Sequence, residues 1–260
     1  MDIYLVNPAS RPYTIEKNDF LVNIGREDRP VFDISVLESY YYVKDNKVMD
    51  RLLPYYKNFL LDSGAFTFLN NSHLKGGVNW DEYLEDYARY INSHKITKFF
   101  ELDIDSIVGL TEVERMRKKL EVLTGKKPIP VWHKNRGKDY FVKMCEEYPY
   151  VALGGVVIRE IPREKFESVF PWFIKTARER GTKLHCLGYT GQLKRYRFDS
   201  VDSTAWLYGN VSGMVYKFDN VKGEMVRVSV PEGKRLLSRK AAMNNFNEWV
   251  KYSIWAQKNL

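Results

Sequence analysis

Cysteine and histidine are scarce in the sequence. The two cysteines, Cys145 and Cys186, lie far apart in apolar settings, which excludes a disulfide framework and a zinc site built from CxxC pairs. The four histidines form no HxH pair after the first predicted strand, which disfavours a metal-dependent hydrolase. These absences predict a protein without a structural zinc and without a catalytic metal.

Long hydrophobic runs are absent as well. The longest apolar stretch covers residues 150–158 and is interrupted by Gly154 and Gly155, whereas a membrane-spanning helix needs about 20 residues. An acidic residue, Asp2, and a short apolar run open the sequence, and this order does not match the plan of a secretory signal. We therefore expect a cytoplasmic protein with no membrane partner.

Apolar and basic residues are plentiful. Of the 260 residues, 44% are hydrophobic and 15% are aromatic, enough to bury a core and to exclude a disordered chain. Lys and Arg number 41 against 33 Asp and Glu, which gives a net charge of +8. This charge favours a polyanionic partner such as nucleic acid, although an ordinary basic enzyme would show the same balance.

Short apolar runs alternate with amphipathic helical patterns, which is typical of a parallel sheet built from βα units. The predicted strands cover residues 3–6, 58–61, 98–102, 129–132, 150–157, 183–187 and 198–201. About seven strands in a chain of this length predict a (β/α)₈ barrel, which typically has about 250 residues. A doubly wound open sheet is the alternative, and the lack of a GxGxxG or P-loop pattern after the first strand disfavours it.

The carboxyl-terminal segment differs in character from the rest. Residues 211–230 predict a β-hairpin that turns between Asn220 and Gly223, and a basic stretch and a helix follow it. We therefore predict a barrel over residues 1–210 and a small elaboration packed on it over residues 211–260.

Acids, histidines and glycines follow the predicted strands, at the ends where parallel barrels build their active sites. They are Asp62, Ser63, Gly64, Asp103, Asp105, His133, Gly154, Gly155, His185, Gly188, Asp199 and Asp202. Several acids at one rim favour a catalytic site. Structural alternatives are a helix cap for Asp62, Asp199 or Asp202, a hydrogen-bonded structural position for His133 and His185, and close backbone approach at Gly154 and Gly155.

In order and spacing, the segments DSGAF, LDID, ALGG, HCLG and FDSVDST resemble the motifs of tRNA-guanine transglycosylases. The resemblance spans residues 55–210 and is greatest to the shorter phage and bacterial enzymes that insert 7-deazaguanines into DNA. It implies a (β/α)₈ barrel that exchanges guanine in DNA for a free base of the 7-cyano-7-deazaguanine type. The zinc site of the tRNA enzymes needs more cysteines than this chain has.

The resemblance also implies roles for the site residues. Asp202, with Asp199 as the alternative, attacks C1′ of the sugar and forms a covalent aspartyl intermediate, while Asp62 handles the proton at N9. Asp103 accepts hydrogen bonds from the N1–H and amino groups of guanine. The residues expected to line the base site are Ser63, Gly64, Asp105, His133, Gly154, Gly155, His185 and Gly188, with His133 near the position of the family's glutamine.

Basic residues next to the nucleophile segment are expected to bind the nucleic-acid backbone. The candidates are Lys194, Arg195 and Arg197. A second group comprises Lys234, Arg235, Arg239 and Lys240, and a solvated basic surface explains this group equally well. Two other functions stay open: a tRNA-guanine transglycosylase, and a non-catalytic barrel that binds nucleic acid or a free base.

Overall fold

The structure, a computed structural model, describes residues 1–16, 18, 32–53, 56–70, 77–208, 214–229 and 237–260. Lys234 and Arg235 therefore lie outside the described residues. The strands are β1 Asp2–Val6, β2 Phe32–Ser39, β3 Tyr56–Asp62, β4 Val131–Trp132, β5 Tyr150–Leu153, β6 Lys183–Cys186, β7 Ser200–Ser203, β8 Val215–Asp219 and β9 Glu224–Val228. The α-helices are α1 Tyr13–Glu16, α2 Tyr40–Val43, α3 Val48–Leu52, α4 Ala65–Asn70, α5 Trp80–Ser93, α6 Asp105–Val108, α7 Leu110–Thr124, α8 Gly137–Glu147, α9 Phe166–Glu179 and α10 Ser238–Asn259.

The chain divides into two compact units. The first unit comprises residues 1–37, 47–58 and 188–260, and the second comprises residues 38–46 and 59–187. The predicted carboxyl-terminal elaboration thus belongs to the same unit as the amino-terminal strand.

Three parallel strands in the order β2-β1-β7 form the sheet of the first unit. In the central strand, Tyr4 stands beside Ser35 of β2 and beside Asp202 of β7. Tyr4 is fully buried, and so are its neighbours Ile3 and Leu5, which point to the opposite face of the sheet. Burial on both faces is characteristic of parallel strands that are covered on each side, and it explains why β1 has few polar residues.

Helix α10 packs against this sheet and against the hairpin formed by β8 and β9, which is antiparallel. The side chain of Asn245 ties the hairpin down, because it accepts a hydrogen bond from Tyr216 N at 2.9 Å and donates one to Met214 O at 2.8 Å. The ring of Phe218 stacks on Tyr252 with a centroid distance of 5.2 Å. The hairpin predicted from the sequence is confirmed.

Five parallel strand positions occur in the second unit. Strands β4, β5 and β6 pair in chain order, with Ala152 between Val131 and His185. The segment predicted as a strand over residues 98–102 pairs only through single bridges, from Phe99 to Leu61 of β3 and from Phe100 to Ile129. It therefore occupies a strand position between β3 and β4 without forming a regular strand.

Two long helices of the second unit follow directly from their sequence. In α5, the side chain of Asn79 caps the helix by accepting a hydrogen bond from Glu82 N at 3.3 Å, and Leu84 and Ile91 are fully buried. Helix α7 ends at Gly125, whose φ of 65° is the left-handed conformation that glycine adopts most readily.

The predicted α/β class is confirmed: the described residues include a sheet of seven strands with helices between them. Among the described residues, this sheet has no eighth complete strand. No helix in the described part of the chain combines the length and the apolar character that membrane crossing requires.

Candidate functional site

The first candidate residue, Asp62, is the last residue of β3, and its side chain binds the backbone of the turn that follows. Its Oδ2 accepts a hydrogen bond from Gly64 N at 2.9 Å, and Tyr83 Oη donates to Ser63 O at 2.6 Å. Gly64 has a φ of 84°, and a Cβ there would lie 2.6 Å from Cβ of Tyr41. The DSG sequence therefore forms a tight turn in which only glycine fits, with the Asp62 carboxylate at the carboxyl end of its strand.

His133 lies between two carboxylates in the second unit. Its Nε2 is 2.8 Å from Oδ2 of Asp103, and its Nδ1 is 3.1 Å from Oε2 of Glu160. Asp103 follows the bridged segment 98–101, and His133 follows β4 directly. The sequence therefore placed these two residues correctly at neighbouring strand ends, whereas Glu160 arrives from a loop beyond β5.

The two carboxylates determine the charge of His133. Burial alone lowers the pKa of this imidazole, but the hydrogen bond and the charge of Asp103, together with Glu160, outweigh burial and raise the pKa to about 9. The ring is therefore protonated at neutral pH and donates from both nitrogens. His133 acts here as a fixed cation that holds Asp103.

Gly154 and Gly155 make room for this arrangement. A Cβ on Gly154 would lie 2.8 Å from Cε1 of His133, and one on Gly155 would lie 2.7 Å from Oε2 of Glu160. Gly155 also has a φ of 77°. Both glycines therefore allow side chains of the protein to approach the backbone, which is the structural alternative that the sequence had left open.

A second cation, Arg136, links three acids. Its Nη1 is 3.0 Å from Oε1 of Glu101, its Nε is 3.1 Å from Oδ2 of Asp105, and its Nη2 is 3.7 Å from Oδ1 of Asp103. Glu101 is fully buried and also binds Arg117, at 2.7 Å from its Nε. Sequence analysis missed Glu101, Arg117 and Arg136, because an acid and two cations inside apolar patterns give no sign of their pairing.

Asp103 retains one unsatisfied oxygen. Its side chain is 18% exposed, and Oδ1 is buried without a hydrogen-bond partner among the described residues. A buried carboxylate oxygen without a donor is costly, and here the guanidinium of Arg136, with Nη2 at 3.7 Å, compensates its charge without a hydrogen bond.

In the first unit, Asp202 and Asp199 lie at different ends of β7. Asp202 is the third residue of the strand, is 8% exposed, and its Oδ1 accepts a hydrogen bond from Gly188 N at 2.7 Å. Asp199 precedes the strand, is exposed, and its backbone carbonyl accepts from Asp2 N at 3.0 Å. Only Asp202 therefore stands toward the carboxyl end, where parallel barrels carry out their chemistry.

Four other predicted residues lie in β6 and in the segment before β7. His185 is fully buried within β6, and its ring is 5.5 Å from that of Phe100. Lys194, Arg195 and Arg197 lie in the connection that leads into the start of β7, and Lys194 Nζ lies 5.4 Å from the ring centroid of Trp255.

Metal binding and thiol chemistry depend on the His, Cys, Asp and Glu side chains. The described residues contain no group of three or more His, Cys, Asp or Glu side chains able to hold a metal ion. Both cysteines are buried, and burial raises the pKa of Cys145 to about 12. A thiol with this pKa is a poor nucleophile at neutral pH.

Comparison with known proteins gives no match. No family model fits the sequence, and neither a curated protein nor a solved structure is similar to it. The function has therefore to be inferred from the residues and their geometry.

Proposed function

We propose that the chain is a DNA-guanine transglycosylase that exchanges guanine in DNA for a free 7-deazaguanine base of the 7-cyano type. The observation that carries the proposal is the position of the motifs. Asp62 ends β3, Asp103 follows the bridged segment, His133 follows β4, Gly154 follows β5, and Asp202 stands near the end of β7. Chemistry at the carboxyl ends of parallel strands requires this placement.

The fold of the proposed enzyme is the (β/α)₈ barrel. Three parallel strand positions belong to the first unit, and five belong to the second when the bridged segment 98–101 is counted. Their total equals the number of strands in such a barrel, and this count supports the assignment.

The proposed reaction proceeds in two displacements. An oxygen of Asp202 attacks C1′ of the deoxyribose, the bond between C1′ and N9 breaks, and Asp62 supplies the proton that guanine takes up at N9. The incoming base then gives its N9 proton to Asp62, its nitrogen bonds to C1′, and the ester to Asp202 breaks. One glycosidic bond replaces another, so the exchange balances without a redox partner or a nucleoside triphosphate.

Asp103 is the proposed reader of the base. Guanine and its 7-deaza analogues present two donors on one edge, the N1–H and the amino group, and a carboxylate accepts from both. In Asp103, Oδ2 already accepts from His133 while Oδ1 is without a donor among the described residues. His133 and Arg136, whose Nη2 lies 3.7 Å from Oδ1, thus hold the carboxylate in place for the base.

The direct test supplies 7-cyano-7-deazaguanine with either DNA or tRNA, followed by digestion to nucleosides and mass spectrometry. We expect the deazaguanine nucleoside in DNA, with one guanine released for each base inserted. Modification of tRNA alone would make the chain a tRNA enzyme. Binding of nucleic acid or of the base without any exchange would show a non-catalytic barrel.

A further inference from the structure

Two exposed cations stand at the beginning of α10, the last helix of the first unit. They are Arg239 and Lys240, and neither has a carboxylate within ion-pair distance in the part of the chain that the structure describes. The guanidinium of Arg239 lies 4.6 Å above the ring of Tyr13, which orders that side chain.

Helix stability does not explain these cations. The first turn of a helix is the positive end of its dipole, so cations there are repelled and acids are favoured. The first turn of α10 contains no acidic residue, and its N-cap, Leu237, makes no side-chain hydrogen bond. The charges of Arg239 and Lys240 are therefore uncompensated within the described residues and oppose the helix that carries them.

The direction of α10 places these cations at the functional edge of their sheet. Near the end of the helix, Gln257 Nε2 donates to Oδ1 of Asp2 at 3.1 Å, at the start of β1. Earlier in the helix, Asn245 Nδ2 donates to the carbonyl oxygen of Trp206 at 3.4 Å. The indole Nε1 of Trp206 donates to Val6 O, at the end of β1, at 2.9 Å. Helix α10 thus runs antiparallel to β1, and its first turn lies toward the carboxyl ends of the strands.

Asp202 belongs to the same unit and also lies toward the carboxyl ends of these strands. Residues 188–260 contain twelve Lys or Arg and six Asp or Glu, which is a net charge of +6 out of the chain's +8. A phosphodiester backbone offers a row of anions for such a surface, and its binding releases counterions.

We propose that Arg239 and Lys240 bind backbone phosphates of the DNA strand whose sugar reaches Asp202. The proposal rests on the proposed function, and it moves the backbone contact away from the residues that the sequence favoured. Lys194 lies beside Trp255, sixteen residues further along α10 than Arg239, and a rise of 1.5 Å per residue separates these helix positions by about 24 Å. Arg197 precedes the start of β7.

The opposite positions provide a matched control for the test. The test variant is Arg239→Gln with Lys240→Gln, and the control variant is Lys194→Gln with Arg197→Gln. Each pair removes one arginine and one lysine, and each includes one cation that lies over an aromatic ring, Tyr13 or Trp255. The two variants therefore have the same net charge and differ in the place from which charge was removed.

The measurement is the dissociation constant for duplex DNA, by fluorescence anisotropy, as a function of salt concentration. The test pair is expected to lower the slope of log K against log salt by about 1.8, for two phosphate contacts, and to weaken binding about tenfold at low salt. The control pair is expected to leave the slope nearly unchanged. Arg239→Lys keeps the charge, so this variant should keep the phosphate contact and the wild-type slope.

The outcomes separate this proposal from the proposed function. Equal effects of both pairs, or an unchanged slope in the test pair, would overturn the phosphate site even if base exchange occurs. The expected slope change without any base exchange would leave the phosphate site standing and remove the transglycosylase. A slope change seen with tRNA and not with DNA would overturn DNA as the partner. Thermal unfolding of each variant identifies misfolding. If the test pair is misfolded, the salt slope of Arg239→Lys decides, because this variant keeps the charge and should keep the wild-type slope.

Discussion

At the scale of single residues, the position of an acid along its strand decides between two candidates of equal chemistry. Asp202 is buried near the end of β7 and accepts from Gly188 N, whereas Asp199 is exposed before the strand begins. Asp202→Asn keeps an oxygen that can accept the same hydrogen bond, so we expect a folded protein in which base exchange is lost. A fall of more than about 10³-fold is expected for the loss of a nucleophile.

Asp199→Asn is the matched control for this prediction. It should retain exchange at nearly the wild-type rate, measured as incorporation of labelled guanine into DNA. An active Asp202→Asn enzyme and an inactive Asp199→Asn enzyme would exchange the two roles, and activity in both would exclude the covalent mechanism.

The pKa of His133 makes a second residue-scale prediction. Its folded-state pKa of about 9 lies above the ordinary value of 6.5, so its ion pairs stabilise the folded chain fully below pH 6.5. This contribution is lost as the pH rises through about 9, and it amounts to at most about 3 kcal/mol. The variant His133→Gln has no such titration.

The free energy of unfolding of both proteins, measured by urea titration at pH 6 and at pH 9.5, tests this. The difference in stability between wild type and His133→Gln should shrink at the higher pH. A constant difference would mean that His133 is not held as a cation by Asp103 and Glu160.

At the scale of elements, a buried cluster of one acid and two arginines joins the bridged segment 98–101 to helix α7 and to the short 3-10 turn, Lys134–Arg136, that precedes α8. Glu101 accepts from Val131 N at 2.8 Å and binds Arg117 and Arg136. Glu101→Gln would leave Arg117 without a carboxylate in the described part of the chain, and a broken buried pair typically costs about 3–5 kcal/mol. We expect a loss of this size in urea unfolding.

A surface network offers the comparison. Arg115 binds Asp81 and Glu112 at 2.8 and 2.6 Å, and its side chain is 45% exposed. Arg115→Gln should change stability far less than Glu101→Gln, and its effect should fade as salt is added. Similar costs for the two variants would contradict the burial of Glu101.

The elements themselves were largely predictable, since apolar periodicity reports burial. Strands β1, β3, β5 and β6, the hairpin and the helix that follows it all appear near their predicted positions. Strand β2 was missed, and β7 begins two residues later than predicted, at Ser200. The segment predicted as a strand over residues 150–157 is a strand only as far as Leu153. Gly154 and Gly155 follow it, and His133 and Glu160 pack closely against the backbone of these two glycines.

Candidate residues could be chosen from the sequence only where each is marked by its own strand. Asp62, Asp103, His133 and Asp202 were chosen because each closes an apolar run, and each lies at or near a strand end in the structure. Glu160 was not chosen, because it reaches His133 from a loop 27 residues away in sequence. Partnerships of this kind depend on the fold and leave no local pattern.

At the scale of the whole molecule, the proposals divide two tasks between residues of different units. Asp103 of the second unit is assigned to the free base, and Arg239 and Lys240 of the first unit are assigned to the DNA backbone. Removal of either function should therefore leave the other intact. Asp103→Ala is expected to bind DNA with an unchanged salt slope, because it removes no cation.

The same variant should fail to read the base, and the choice of base makes this specific. Hypoxanthine lacks the amino group of guanine, so it offers Asp103 one hydrogen-bond donor in place of two, and wild type should bind it at least about tenfold more weakly. Asp103→Ala should bind both bases weakly and without preference, as measured by calorimetry. Asp105→Ala is the control, because Oδ2 of Asp105 is occupied by Arg136 Nε at 3.1 Å, and this variant should keep the preference for guanine. If Asp105→Ala loses the preference and Asp103→Ala keeps it, the base is read by the acid at the start of α6 and His133 holds Asp103 for another purpose.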